Sequence, residues 1–291
     1  MLFNLFGFFI FLFLIFLVPR DIRLYGFEYN NHKLIHSQID ELKGNLNLII
    51  GDSRSQLDIG SMSGYTNLSL GGSTPLEGYY LINEVISKGV LIDTLLISYS
   101  PYHIHSQDTY WDRTVYYDFF KQEEIRDVNF NIKKLKDSLY TWKPVHDLIP
   151  LQFEFLIKDF QSSIKNIPKY FLNKNKSFDN LSISKGCFTP EYLGAKKNEM
   201  ESKINFYYIN KLKSILDKNN IKYFYFHTPL PKGSLKPSRR YFEYYFEVTK
   251  KLNPLYNEIP MWEDYLFMDC SHLKPKKQKY FKSFLKTYLH R

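Results

Sequence analysis

A serine hydroxyl is not nucleophilic near neutral pH until a base takes its proton. A histidine does this best when a carboxylate fixes its tautomer and steadies its charged form. Two short stretches hold these residue types far apart in the chain: Gly51-Asp52-Ser53-Arg54 and Asp269-Cys270-Ser271-His272. Asp269 and His272, three apart, would bring carboxylate and base together in one turn, and Ser53 would then be the nucleophile. The tetrahedral intermediate of acyl transfer also needs donors for its oxyanion. Ser53's own backbone N–H is one candidate, and that of Gly71 or Gly72 is another, since a residue without Cβ allows close approach. Taken alone, Gly-Asp-Ser is an ordinary turn and Asp-x-x-His an ordinary helix start. Each occurs once here, and their combination is the stronger signal.

Elements that would position these residues can be read on either side of them. Leu46 to Ile50 is a short apolar run ending at Gly51, which predicts a buried strand. Tyr65 to Leu70 predicts a second strand, stopped by Gly71-Gly72. Pro75 to Lys88 has helical spacing, with proline in its first turn and Gly89 just past its end. Leu91 to Ser98 predicts a third strand, closed by Pro101. Strand, helix and strand at such spacing imply a parallel sheet with crossover helices. Residues 103–202 have aromatic and Lys-rich helical stretches without a clear strand run, and are too long for a plain loop. They read as a helical insertion.

The pattern resumes with a helix near Glu201 to Lys218, a strand at Ile221 to Phe226 and a helix within Arg240 to Leu252. A fifth strand is expected around Tyr265 to Met268, then a last helix to about Leu289. The expected fold is α/β, a flavodoxin-like three-layer sandwich on a five-stranded parallel sheet. Sites in such sheets form at the carboxyl ends of the strands. That rule gathers five clusters at one edge: residues 51–54, 71–74, 98–103, 227–228 and 269–272. Within them Arg54, Ser100, Tyr102 and His227 are candidate substrate contacts, with a structural hydrogen bond the competing role for His227 and a carboxylate partner for Arg54. His103-x-His105 with Asp108 reads as loop surface, and neither a metal nor a cofactor is expected. Tyr241 to Phe246 is an aromatic stretch suited to core packing or to sugar stacking.

With 291 residues and 44% hydrophobic content the chain has material for a sizeable core, and 24 Tyr and 25 Phe argue against disorder. Residues 1–18 carry no charge and are broken only by Asn4 and Gly7. As a helix they would extend about 27 Å, enough for a bilayer core. Nothing basic precedes the run and Leu17-Val18-Pro19 follows it, which favours an uncleaved anchor over a cleaved signal peptide. Arg20, Arg23 and Lys33 behind it would by themselves favour a cytoplasmic body. The net charge of +9 reads as a solvated Lys-rich surface, and no nucleic-acid-binding motif is present. Cys187 and Cys270, the two cysteines, are compatible with one bridge or with two thiols. The expected organisation is an anchor over 1–19, a connector over 20–45 with a short helix around Leu34 to Leu42, core over 46–102, insertion over 103–202 and core again over 203–291.

Gly51-Asp52-Ser53, the glycines after the second strand and Asp269-x-x-His272 near the carboxyl end together resemble the SGNH (GDSL-type) hydrolase and acyltransferase superfamily. The resemblance covers roughly residues 46–102 and 203–291. It implies Ser53 as nucleophile, His272 as base, Asp269 as its orienting partner and Gly71 or Gly72 as second oxyanion donor. Typical members continue with Gly-x-Asn-Asp, whose Asn donates to the oxyanion, whereas here the third strand ends Ser98-Tyr99-Ser100-Pro101-Tyr102. Either Ser100 or Tyr102 substitutes, or two backbone donors suffice. The anchor, the altered block and the insertion are most similar to the envelope-associated branch, which includes proteins that work beside membrane-bound O-acyltransferases on exported glycans or teichoic acids. That implies a single-pass anchor in the cytoplasmic membrane, a catalytic domain outside it, and a glycan acceptor or acylated polysaccharide as partner. The activity expected is O-acyl, in particular O-acetyl, transfer or ester hydrolysis. Competing readings are a non-catalytic scaffold that recruits an acyltransferase or polymerase, and a lipase or thioesterase.

Overall fold

The structure, a computed structural model, describes residues 26–105, 117–136, 202–232, 239–269 and 271–289, with a few positions between 10 and 24 and between 161 and 168. In chain order the elements are α1 (Phe27–Glu41), β1 (Asn45–Gly51), β2 (Thr66–Asn67), α2 (Pro75–Ser87), β3 (Leu91–Ser98), the short α3 (Pro101–His105) and α4 (Gln122–Leu135). After the insertion come α5 (Lys203–Lys218), β4 (Lys222–Tyr225), β5 (Leu230–Pro231), α6 (Arg239–Thr249), β6 (Met261–Trp262) and α7 (Gln278–Leu289). Strands β2, β1, β3 and β4 form a parallel sheet in that order, and β5 pairs with β6 in a separate parallel ribbon.

Side chains of a strand alternate between faces, and here the alternation sorts the core into two layers. Leu48 and Ile50 of β1 and Leu95 and Ile97 of β3 pack with Leu81, Ile82 and Val85 of α2 and Ile209 and Leu212 of α5. Between them, Ile49 and Leu96 point the other way, into a cluster with Phe281 and Leu285 of α7. Helices therefore cover both faces, which is why β1 and β3 read as continuous apolar runs. The first turn of α2 is closed by Thr74, whose N–H donates to the Glu77 carboxylate at 2.8 Å, ahead of Pro75.

Two strand expectations are corrected. The second strand is regular only over Thr66–Asn67, although Leu68 and Leu70 N–H still donate to Ile49 O and Gly51 O of β1 at 2.8 and 2.9 Å, while the Asn67 side-chain amide donates to the Ser55 and Gly60 carbonyls at 3.0 and 2.9 Å. The fifth strand does not form at Tyr265 to Met268. Asp264–Leu266 closes into a single 3-10 turn and Phe267 makes one antiparallel bridge to Leu273, so this chain folds back on the 268–273 loop. The place beside β4 is taken by Asn253 to Leu255. Tyr225 N–H donates to Asn253 O and Leu255 N–H to Tyr225 O, both at 2.7 Å. Tyr225 and Pro254 thus form a single parallel bridge, in which the proline's missing N–H is not needed.

The connector helix begins at Phe27, earlier than the expected stretch. Within the expected insertion, α4 packs Ile125, Val128 and Ile132 on Leu76, Tyr80, Ile204 and Tyr208. Asp127 accepts from Tyr80, Tyr208 and Lys211 at 2.9, 3.1 and 2.9 Å, tying α4 to α2 and α5. The anchor over 1–18, apart from Ile10, Leu17 and Val18, lies outside the described residues, as do Cys187 and Cys270 and most of the insertion. Among the described residues no helix is long and apolar enough to cross a membrane.

Candidate active site

Strand β1 delivers Gly51 and Asp52 at its carboxyl end and then turns sharply. Gln56 N–H donates to Asp52 O at 3.0 Å, so Asp52 to Gln56 forms one helical turn with Ser53 on its open side. The loop after Phe267 approaches that turn from the far end of the chain. Ser53 Oγ and His272 Nε2 lie 3.2 Å apart, and His272 Nδ1 is 2.8 Å from Asp269 Oδ2. With Nδ1–H donating to Asp269, Nε2 keeps its lone pair and accepts from Ser53, a tautomer assigned from the hydrogen-bond network. Asp269 Oδ1 also accepts the Ser271 and His272 N–H groups at 2.8 and 2.7 Å, which fixes the carboxylate.

Burial raises Asp269, but its hydrogen bond from His272 outweighs that, and the carboxyl is held below its ordinary value. Burial lowers His272, yet the Asp269 bond and the charges of Asp58 and Asp269 win against it and against Arg54, so the imidazole is more basic than usual. Ser53 and His272 both keep part of their surface open to solvent.

The second stretch expected at the site also arrives. A Cβ built on Gly71 would stand 3.7 Å from Ser53 Cβ and 3.1 Å from Gln56 Oε1, so the Gly71 backbone lies alongside the nucleophile. Gly72 has φ +68 and makes the turn. Gln56 Oε1 is buried without a hydrogen-bond partner. Residues i and i+3 of a turn share a face, so the Gln56 amide and Ser53 flank the same space.

Behind Ser53 are groups of other kinds. Asp52 is fully buried and accepts from Arg54 N–H (3.0 Å), Ser100 N–H (2.7 Å) and His103 Nδ1 (2.8 Å). Burial pushes its carboxyl up, and His103, Arg54 and the Ser100 N–H overcome this and hold it well below the carboxylate range. Asp52 and His103 thus bolt the β1 turn to the end of β3, with the Ser100 hydroxyl 2.9 Å from the same imidazole nitrogen. Arg54, also buried, donates from Nη1 to the Tyr241 hydroxyl at 2.9 Å. His227 Nε2 accepts from Tyr241 at 2.6 Å while Nδ1 is bonded to Thr228 O. Burial first, then Arg54, pushes His227 down to about 3, so it stays neutral.

Of the candidate contacts, then, Ser100 and His227 have their side-chain polar groups engaged within the protein, and Arg54 has its Nη1 bonded to Tyr241. The Tyr102 side chain, the His105 side chain and Asp108 lie outside the described residues. No group of three His, Cys, Asp or Glu that could hold a metal occurs among the described residues.

Asp58 is the least expected member. It is wholly buried, its Oδ1 accepts Leu273 N–H at 2.8 Å and its Oδ2 has no partner. Burial pushes it up to about 7, against the pull of His272, the Leu273 N–H and Arg54. An acid with a higher pKa folded than unfolded holds its proton in the folded state between the ordinary carboxylate value and about 7. Folded protein binds more protons across that window, so stability falls as pH rises through it. Asp58→Asn is expected to flatten this slope and to raise the thermal midpoint at about pH 8 by roughly 2–4 °C, or about 1 kcal/mol. Thermal unfolding of both proteins across the pH range checks this.

Compared with known protein families, curated proteins and solved structures, the chain returns no match. Sequence reasoning missed Gln56 and Asp58; it placed His103 in the 98–103 cluster but read it as loop surface, where it bonds buried Asp52, and gave Tyr241 core packing or sugar stacking, where it binds Arg54 and His227. For His103 the signal was its place just after β3. For Gln56 and Asp58 it was their place in the turn that Ser53 opens.

Proposed function

We propose that the chain is a serine-dependent O-acyltransferase or esterase of SGNH type, acting through an acyl-enzyme on a cell-envelope or exported polysaccharide. The observation that carries the reading is the Ser53, His272 and Asp269 relay, with Ser53 Oγ 3.2 Å from the imidazole. That distance is at the edge of direct proton transfer and ordinary for a site without substrate.

In this reading Ser53 Oγ attacks the acyl carbon as its proton passes to His272 Nε2. The oxyanion forms beside the Ser53 and Gly71 N–H groups. Its collapse breaks the bond to the leaving group, which takes the proton back from the imidazolium. The Ser53 ester is then attacked by an acceptor hydroxyl, whose proton His272 removes, and the acylated acceptor and free serine are released. Water in place of a sugar hydroxyl makes the same sequence a hydrolysis. Outside this relay, the anchor over 1–19 would hold the domain at the outer side of the cytoplasmic membrane.

Gln56 fills the role left open by the block after β3. Its amide, turned so that Nε2 rather than Oε1 faces Gly71, relieves the orphaned oxygen and supplies a third donor. Gln56→Ala is expected to lower kcat for acyl transfer by about 10²-fold with little change in KM, because the donor acts only once the oxyanion exists. Steady-state kinetics on nitrophenyl acetate check this.

The function itself is tested with a fluorophosphonate probe and intact mass spectrometry. A single adduct on Ser53, and an acetyl adduct during turnover of nitrophenyl acetate, support an acyl-enzyme. No adduct at Ser53 with the folded chain would leave the scaffold reading in its place.

A further inference from the structure

Residues 270–291 contain no Asp or Glu, while six lysines lie between Lys274 and Lys286. Five of the described lysines elsewhere have carboxylate partners: Lys88 with Asp40 and Glu84, Lys211 with Asp127, Lys213 with Asp217, Lys232 with Glu263 and Lys250 with Glu247. Lysines 274, 276, 277, 279, 282 and 286 have no ion pair among the described residues.

They also form a continuous strip. It starts two residues after His272, where Lys274 N–H donates to Leu266 O at 2.9 Å and so sits beside the Asp264–Leu266 turn with its exposed Tyr265. It passes through the Pro275–Lys277 turn into α7. There Lys279, Lys282 and Lys286 follow the i, i+3, i+7 spacing of one helix face, opposite buried Phe281 and Leu285. That face runs about 10 Å. Tyr280 stands exposed with the Lys277 and Lys279 ammonium groups each 5.3 Å from its ring centre.

We propose that this strip is the binding track for an acidic polysaccharide, the acceptor of the acyl group in the function proposed above, on which this inference rests. Uncompensated like charges in a row cost self-repulsion in the free protein, and a repeating anion relieves it along the whole row. A glycan is favoured because the track begins at the base that must deprotonate a hydroxyl, and because exposed Tyr265 beside Lys274 offers a ring face for a sugar.

The experiment titrates fluorescent polygalacturonate onto the full chain and reads anisotropy, with neutral dextran as comparison. Binding to polygalacturonate but not dextran, weakening steeply between about 50 and 300 mM salt, is expected. Lys276→Gln, Lys279→Gln, Lys282→Gln and Lys286→Gln together should weaken it about 10-fold or more. Lys133→Gln, Lys134→Gln and Lys136→Gln, at the end of α4 in the core cluster on the other sheet face, should not, and thermal midpoints verify that both variants are folded. The track is overturned if wild-type chain does not bind polygalacturonate, or if the strip variant binds it as tightly. It is also overturned if the strip variant loses only its binding to phosphatidylglycerol vesicles, which would assign the strip to a membrane surface. Binding is read without turnover, so a failure to label Ser53 sinks the acyl-transfer reading separately.

Discussion

Ser53→Ala is expected to remove esterase and acyl-transfer activity by about 10⁴-fold or more while leaving the fold in place. In the proposed function the hydroxyl is the one group that would bond to the acyl carbon, and nothing else on its turn would replace it. Gln56 and Gly71 are proposed only as donors, while Ser55 Oγ is directed at the Asp52 and Ser98 carbonyls at 3.0 and 3.4 Å. His272→Ala should cost a similar factor, and the double variant little more than either alone, because the two groups act in one proton transfer. Hydrolysis of nitrophenyl acetate by the three variants, with circular dichroism as the check on folding, measures it. Activity near wild type in Ser53→Ala would remove the catalytic assignment.

The pH profile carries the same relay. His272 must be neutral to act as base, and its pKa is raised, so the acid limb of kcat/KM is expected above the ordinary histidine value.

Gly51→Ala is the substitution with the largest expected effect on stability, about 3–5 kcal/mol. A Cβ at this position would fall on the Ser98 carbonyl of the neighbouring strand and on Ser55 Oγ. Ser98 O also accepts Asp52 N–H at 3.1 Å, so it cannot retreat without loosening the turn that holds Ser53. The glycine is therefore required by close approach of two backbones and not by its own dihedral angles. Denaturant unfolding would show the loss as a lower midpoint, and recovery of soluble protein should fall with it. An unchanged midpoint would mean that β1 and β3 tolerate separation at the point where the site is built.

Much of this was legible in the residue order. Strand β3 occupies Leu91–Ser98 as its apolar run predicts, and α2 starts at Pro75 because proline and the Thr74–Glu77 box mark its first turn. Ser53 was legible because polar residues at strand carboxyl ends converge on one edge, whereas Asp269 and His272 were picked out by their residue types and spacing, although the strand expected before them does not form. The fifth strand misled because Tyr265 to Met268 is as apolar as a strand. Its Phe267 is buried instead in the cluster with Phe281 and Leu273, and its backbone bonds serve the histidine loop. Gln56, Asp58 and His103 were hidden for a different reason. Each is an ordinary polar residue on its own segment and gains meaning only from a partner brought by a distant one: Gly71 for Gln56, Leu273 for Asp58 and Asp52 for His103.

Ser53 and His272 are 219 residues apart, and the bonds that seat the carboxyl-terminal segment on the Ser53 turn, Leu273 N–H to Asp58 and the Gln278 amide to Leu57 O, close loops of 215 and 221 residues. Contacts of such separation come late in folding, since loop closure must precede any gain. Until the stretch from 269 to 289 has docked, Ser53 therefore has no His272 beside it, and in the proposed function the relay is complete only from that point.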